Sequence, residues 1–122
     1  ASPYTRTLQT ATIVADALGL PITIEPEIRE RGAFICDIGT PRDELARQWP
    51  ALDFSHLDKQ WWNQEVESDE SVVVRANQFR EAAQTWPDHE QTLVITHWGF
   101  IMGLTGQSVK NCDVVLFPPD CR

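Results

Sequence analysis

The sequence predicts an α/β domain in which mainly parallel strands are flanked by helices, and three observations support this prediction. Residues 93–95 form a short apolar run rich in β-branched side chains, which is typical of a strand buried on both faces. The turn after them leads into a second apolar segment, residues 100–104, that predicts a short helix. Two further segments carry helix caps and apolar residues at helical spacing. Strands and helices that alternate along a chain favour a parallel sheet.

The first predicted element is a helix that opens at Ser2. Ser2 is a favourable N-cap, Pro3 suits the first helical position, and Gly19 ends the helix. One buried face is indicated by four residues at helical spacing: Leu8, Ala11, Ala15 and Leu18. In an α/β domain a strand normally precedes such a helix, so we expect a strand that is missing from this chain or supplied in another way.

The middle of the chain contains one predicted strand and one predicted helix. Residues 22–24 alternate apolar with polar side chains and predict a short edge strand. Residues 27–39 mix charges with two glycines, which is typical of an irregular loop. Thr40 and Pro41 predict the start of a helix, which Trp49 and Pro50 end. Residues 51–64 are rich in aromatics and form either a lid or binding wall, or packing over a small core.

The last third of the chain begins with a long predicted helix that Ser68 caps and Pro87 ends. Its core face is marked by residues at helical spacing: Val72, Ala76, Phe79, Ala83 and Trp86. Residues 113–117 predict a final strand before two prolines.

Composition restricts the classes of function. A chain of 122 residues that is 42% hydrophobic and 23% charged predicts one globular domain over residues 1–122. A net charge of -8 argues against nucleic acid or an anionic membrane surface as the main partner. No signal peptide or membrane-spanning run is visible.

Three widely spaced cysteines predict reduced thiols and a cytoplasmic protein: Cys36, Cys112 and Cys121. Three histidines lack metal-ligand spacing, so no metal site is expected: His56, His89 and His97.

Three residues are candidates for a functional site. His97 lies where a predicted strand meets a helix N-terminus, the edge at which open α/β sheets bind ligands, although a core histidine packed on Trp98 is the alternative. Arg6 lies in the first turns of a helix, where a cation is disfavoured; it is either solvated or converges with free N–H groups on a bound anion. Glu30 lies between two arginines in the sequence. It either forms a solvated ion pair with them or acts as a general acid near a bound phosphate.

Three segments together resemble the histidine phosphatase superfamily, which includes phosphoglycerate mutases and many small-molecule phosphatases. The segment SPYTRTLQTA, residues 2–11, is similar to the helix-opening motif of that family and places Arg6 at its phosphate-binding arginine. The segments IRER and VITHWG are similar to those that supply the proton-donating acid and the second active-site histidine, here Glu30 and His97. The resemblance covers nearly the whole chain and implies a phosphoglycerate mutase-like three-layer sandwich.

The chain departs from the family pattern at two places. Trp98 stands where most relatives have a glycine; its backbone N–H remains available to phosphate, whereas its indole narrows the pocket. The nucleophilic histidine of the family lies in an Arg-His-Gly motif, which this sequence does not contain. The resemblance therefore implies a histidine phosphatase-like domain that is incomplete at its N-terminus, with its nucleophile upstream of this chain.

The resemblance implies a phosphomonoester hydrolase that acts on small phosphorylated metabolites through a phosphohistidine, without cofactor or metal. Arg6, His97 and Trp98 would bind the phosphate of the substrate or inorganic phosphate, and Glu30 would transfer protons. A phosphatase is favoured over a mutase because only residues 50–67 are available to cover the site. The alternatives are a non-catalytic relative that binds phosphorylated ligands or a protein, and a homo-oligomer that takes its missing strand from a partner.

Overall fold

The computed structural model describes residues 1–120, which contain four α-helices. Their bounds are Thr5–Leu18 for α1, Arg42–Gln48 for α2, Asp69–Gln84 for α3 and Trp98–Thr105 for α4. Three short 3-10 turns lie between them, at Pro26–Ile28, Ile35–Asp37 and His89–Gln91. Within the described range, every helix is too short or too polar to cross a membrane. Cys36 and Cys112 are free and exposed, and Cys121 lies outside the described residues.

The predicted sandwich with a parallel sheet is wrong for residues 1–120, because this range contains no β-strand. The three segments predicted as strands, residues 22–24, 93–95 and 113–117, have no regular secondary structure. The residues that were expected to alternate between strand and helix therefore form helices joined by irregular segments.

Two of these segments lie on either side of the first two residues. The Ala1 nitrogen donates to Thr23 O at 2.8 Å, and Ala1 O accepts from Glu25 N at 2.9 Å, which is the pattern of a parallel pair. On the other side, Ser2 N donates to Ile95 O at 3.2 Å. A ladder needs such bonds to repeat along both chains, but the backbone turns into α1 after these two residues. The apolar pattern of the flanking segments is therefore not sufficient to make them strands.

The segment 113–117 fails as a strand for a different reason. Val114 and Leu116 are 85% and 90% exposed, so the alternating pattern does not bury a face. Only Phe117 packs, with its ring 6.2 Å from that of Phe79 on α3 and nearly parallel to it. Within the described residues this segment makes no backbone hydrogen bond to another extended segment.

The predicted ends of the helices agree with the structure except at the start of α1 and at the end of α3, which stops at Gln84 and does not include Trp86. Gly19 ends α1 in the left-handed conformation, with φ of 67°, and Gly106 ends α4 with φ of 72°. Ser68 Oγ accepts from Ser71 N at 3.1 Å and caps α3 as predicted. The prediction that Ser2 caps α1 is wrong: the cap residue is Tyr4, and Ser2 is fully buried.

Two hydrophobic clusters form the core. The first joins α1 and α2 to the aromatic segment and consists of Tyr4, Leu8, Ile24, Leu45, Phe54, Leu57 and Trp61. The second joins α3 to α4 and consists of Ile28, Ala76, Phe79, Ala83 and Phe100. The aromatic segment 51–64 thus supplies core residues. Tyr4 of the first cluster contacts His97, which caps the helix that carries Phe100, so the candidate site lies where the clusters meet.

Candidate functional site

Tyr4 lies between two of the predicted site residues. The guanidinium carbon of Arg6 is 4.5 Å from the centre of the Tyr4 ring, and the His97 ring stands edge-on at 5.0 Å. The Tyr4 hydroxyl donates to the backbone oxygen of Asp37. Burial, reinforced by the Asp37 charge, raises the pKa of Tyr4 to about 12. Sequence reasoning did not single out Tyr4, although an aromatic residue directly before a helix with an arginine in its first turn was the available signal.

Arg6 is directed over the loop that ends in the turn Ile35–Asp37. Its NH1 donates to Cys36 O at 3.2 Å, and its NH2 lies 3.6 Å from Asp37 Oδ1. The buried Asp37 carboxylate also accepts from the backbone nitrogens of Ala33 and Phe34, at 3.0 and 2.8 Å. Nearly half of the Arg6 side chain, 46%, is exposed. Asp37 therefore orients the guanidinium without covering it, so Arg6 retains donors for an anion.

His97 is the N-cap residue of α4 and is only 6% exposed. Its Nε2 lies 2.6 Å from Ser2 Oγ, which in turn lies 2.7 Å from Thr7 Oγ1. Burial lowers the pKa of His97 to about 3, and the positive charges of Arg6 and Arg75 act in the same direction. The imidazole is therefore neutral at physiological pH. The structure places His97 at a helix N-terminus, as predicted, but not at the end of a strand.

Glu30 lies against the first turn of α4. Its Oε1 accepts from Arg31 N at 2.8 Å, and the backbone N–H of Gly99 also bonds to the carboxylate. A Cβ on Gly99 would lie 2.5 Å from Glu30 Oε1, so the carboxyl occupies the space that only a glycine leaves open. Burial raises the pKa of Glu30 despite these hydrogen bonds and the charge of Arg6. A raised pKa increases the protonated fraction that a general acid needs.

The two arginines beside Glu30 bind other partners. Arg29 Nε and NH2 donate to Asn63 Oδ1 at 3.2 and 2.9 Å, and Arg31 NH1 lies 2.6 Å from Asp69 Oδ1. The carboxyl of Glu30 therefore does not form the surface ion pair that its neighbours suggested.

Trp98 is the first residue of α4 and is half-exposed. Its indole Nε1 donates to Ser108 Oγ at 3.2 Å, so the ring is held by the loop that follows α4. The hydrogen bond gives the indole a partner outside the group formed by Arg6, Glu30 and His97.

The charge of Arg6 acts on both other candidates. It lowers the pKa of His97 and opposes the burial that raises the pKa of Glu30. The structure thus brings together a half-exposed guanidinium, a neutral imidazole and a carboxyl at a helix N-terminus. This combination supplies hydrogen-bond donors, positive charge and a proton-transfer group over a small region.

An open pocket of about 440 Å³ is separate from these three residues. It is lined by Glu27, Arg29, Asn63, Glu67, Ser71, Val74, Arg75 and Gln78. Its arginines are already bonded, Arg29 to Asn63 and Arg75 to the buried carboxylate of Glu67. As for metals, residues 1–120 contain no cluster of three or more side chains suited to hold an ion.

The chain matches the model of a known protein family. The family model of the histidine phosphatase superfamily (branch 1) matches residues 1–113. No curated protein and no solved structure matches the chain. The matched range contains the residues around Tyr4 and the four helices, so it covers both the candidate site and the core that positions it.

Proposed function

Because the chain belongs to the histidine phosphatase superfamily, we propose that Arg6, Glu30 and His97 form the phosphate site of a phosphomonoester hydrolase. The observation that carries this proposal is a half-exposed guanidinium whose charge acts on both a buried imidazole and a carboxyl of raised pKa. Phosphoryl transfer depends mainly on positioning and on neutralising charge, and these groups supply both. The substrates proposed are small phosphorylated metabolites.

Each residue has one role in the proposed reaction. Arg6 binds equatorial oxygens of the phosphoryl group with the donors that Cys36 and Asp37 leave free. The backbone N–H of Trp98 and the ring of His97 contact the same group from the start of α4, where helix N–H groups lack partners. Glu30 protonates the leaving oxygen and later removes a proton from the attacking water.

The nucleophile is proposed to be a histidine from a segment outside these 122 residues. Of the histidines in the chain, His97 contacts Ser2, and His56 and His89 contact backbone oxygens. The nucleophilic nitrogen forms a bond to phosphorus as the bond to the leaving oxygen breaks, and Glu30 supplies the proton. Water then attacks phosphorus, the P–N bond breaks, and the water proton returns to Glu30. The products are an alcohol and inorganic phosphate.

The second candidate is a non-catalytic protein that binds phosphorylated ligands. It is favoured by one observation, namely that these 122 residues contain no Arg-His-Gly motif to supply the nucleophile. Under this alternative the 122-residue chain binds inorganic phosphate through Arg6 and hydrolyses nothing.

Titration of the 122-residue chain with inorganic phosphate, followed by NMR, tests the site itself. Arg6→Ala should weaken binding roughly 10- to 100-fold, the effect of losing charge-assisted hydrogen bonds. Arg47→Ala is the matched control, because Arg47 is an exposed arginine on α2, a helix that contributes none of the proposed site residues. Equal affinities for the two variants would contradict the proposed site.

Hydrolysis separates the two candidates. A complete protein that carries the upstream segment should hydrolyse an aryl phosphate and form an acid-labile phosphohistidine, and Glu30→Gln should slow turnover roughly 100-fold. If the complete protein binds phosphate but forms no phosphohistidine, the non-catalytic candidate is correct and the hydrolase is wrong.

A further inference from the structure

A buried chain of side-chain hydrogen bonds leads from Thr7 through Ser2 to His97. Ser2 and Thr7 are 0% and 4% exposed, so water does not compete for their hydroxyls. Thr7 Oγ1 lies 2.7 Å from Ser2 Oγ, and Ser2 Oγ lies 2.6 Å from His97 Nε2. The phosphate chemistry proposed above assigns no role to either hydroxyl.

The donor of each contact follows from counting hydrogens, starting at Thr7. Thr7 Oγ1 also lies 2.9 Å from Ser2 O and 2.8 Å from Tyr4 O, and carbonyl oxygens only accept. The one hydroxyl hydrogen of Thr7 is therefore needed for these carbonyls. In its contact with Ser2, Thr7 must consequently be the acceptor.

The hydroxyl of Ser2 determines in the same way which nitrogen of the imidazole carries the hydrogen. Ser2 uses its one hydroxyl hydrogen on Thr7, so its Oγ must accept in the contact with His97. The hydrogen in that contact comes from Nε2. A neutral imidazole carries one hydrogen, which leaves Nδ1 with a lone pair.

We propose that Ser2 and Thr7 are positioning residues that hold His97 in the neutral Nε2–H tautomer and leave the Nδ1 lone pair for the ligand. Within residues 1–120, Nδ1 makes no hydrogen bond. The charges that act on the ring, Arg6 on α1 and Arg75 on α3, are both positive and disfavour the imidazolium. The ring therefore presents an acceptor to the site.

This acceptor determines which anions fit the site, a step that rests on the proposed function. A lone pair repels an unprotonated phosphate oxygen, whereas it accepts a hydrogen bond from a P–OH group. Inorganic phosphate carries such a hydrogen both as its monoanion and as its dianion, the forms populated near neutral pH, whereas sulfate carries none. The site should therefore bind phosphate at least roughly tenfold more tightly than sulfate, the worth of about one charge-assisted hydrogen bond.

Long-range proton–nitrogen correlation spectra of the ¹⁵N-labelled chain at neutral pH read the tautomer directly. Two other histidines are internal references, because each contacts a carbonyl oxygen through a known nitrogen. His56 Nε2 lies 2.7 Å from Ile24 O and must carry its hydrogen on Nε2; His89 Nδ1 lies 3.0 Å from Trp86 O and must carry it on Nδ1. His97 should match His56. A His97 pattern like that of His89, or an average of the two, would overturn the proposal.

Substitution of Thr7 tests whether the hydroxyl chain sets the tautomer. Thr7→Val keeps the shape but removes the acceptor for Ser2, whose hydrogen can then go to Nε2. The ratio of Nε2–H to Nδ1–H should fall roughly five- to tenfold, and Thr7→Ser should retain the original ratio. An unchanged ratio in folded Thr7→Val would refute the role of Thr7. If that variant does not fold, the spectrum of the unsubstituted chain still decides the tautomer.

The ligand step is tested separately with inorganic phosphate and sulfate. Preference for phosphate in the unsubstituted chain, lost in Thr7→Val, is the expected result. Equal affinity for both anions, with Arg6 still required, would refute the ligand step alone and leave the phosphate site standing. If neither anion binds, the proposed function is wrong. The spectrum recorded without ligand then still decides whether His97 is the Nε2–H tautomer.

Discussion

Breaking the buried ion pair between Arg75 and Glu67 should destabilise the protein far more than breaking an exposed pair of the same length. Arg75 NH2 lies 2.6 Å from Glu67 Oε1, and Arg75 Nε donates to Glu67 Oε2 at 3.2 Å. The side chains are only 6% and 5% exposed. Arg75 NH1 also donates to Glu27 O and Arg29 O, at 2.7 and 2.8 Å, and thereby holds the segment that leads to Glu30.

Glu67→Gln and Asp69→Asn form a matched pair of substitutions. Each replaces an acid by its amide in an ion pair of 2.6 Å, but Asp69, the partner of Arg31, is 79% exposed. Removing one partner of a buried pair costs about 3–5 kcal/mol, because the remaining charge stays buried. Losing an exposed pair costs about 1 kcal/mol or less. We expect the first variant to lie near the lower end of its range, because glutamine keeps one acceptor oxygen.

Urea unfolding at pH 7 measures the difference. With a urea m-value of about 1–3 kcal/mol/M, a loss of 3 kcal/mol lowers the midpoint by roughly 1–3 M, whereas Asp69→Asn should lower it several-fold less. Equal urea midpoints for the two variants would show that burial does not determine how strongly the loss of an ion pair destabilises the protein.

The effect of Glu67→Gln should also depend on pH. Burial by itself raises the pKa of Glu67, but the hydrogen bonds and charge of Arg75 lower it overall. A carboxyl whose pKa is depressed by folding stabilises the protein fully above its unfolded pKa of about 4.3. This stabilisation is lost as the pH falls through the folded value. The difference between the unsubstituted chain and Glu67→Gln should therefore shrink in unfolding experiments below about pH 4.

Three further predictions concern the site. Gly99→Ala places a Cβ 2.5 Å from Glu30 Oε1 and should displace that carboxyl and slow hydrolysis of an aryl phosphate by the complete protein. Gly103→Ala, whose Cβ meets an α3 side chain at the same distance, should cost about 1–3 kcal/mol in urea unfolding and leave hydrolysis unchanged. Equal rates of hydrolysis by both variants would contradict the position of Glu30. Folding lowers the pKa of His97 from 6.5 to about 3, so between these pH values the unfolded state binds a proton that the folded state does not. The free energy of unfolding should therefore fall by up to about 1.4 kcal/mol per pH unit as the pH drops below 6.5. His97→Gln should remove that slope from urea unfolding measured between pH 7 and 4; an unchanged slope would show that the ring is not buried neutral. Tyr4→Phe removes the hydroxyl that donates to the backbone oxygen of Asp37 and should lower the free energy of unfolding by about 0.5–1.5 kcal/mol below pH 10 in the same assay. An unchanged free energy of unfolding would contradict this prediction.

The helices and the position of His97 at a helix N-terminus could be predicted from the sequence because their signals are local. Ser68 caps α3 through a hydrogen bond to Ser71, three residues away, and Gly106 ends α4 in a conformation that glycine adopts freely. Such signals act within one helical turn. The predicted ends of α2 and the predicted start of α3 were accurate for this reason.

The sheet and the details of the site could not be predicted, because each depends on residues far apart in the chain. The segments 22–24 and 93–95 have the composition of strands, but a strand needs a neighbour with which its hydrogen bonds can repeat. Ser2 has the sequence context of an N-cap, but its hydroxyl contacts His97, 95 positions away. The raised pKa of Glu30 likewise comes from burial against α4. The sequence by itself thus determined which residue types were available and most of the helix boundaries, whereas tertiary packing decided which side chains meet, which are buried and how their pKa values shift.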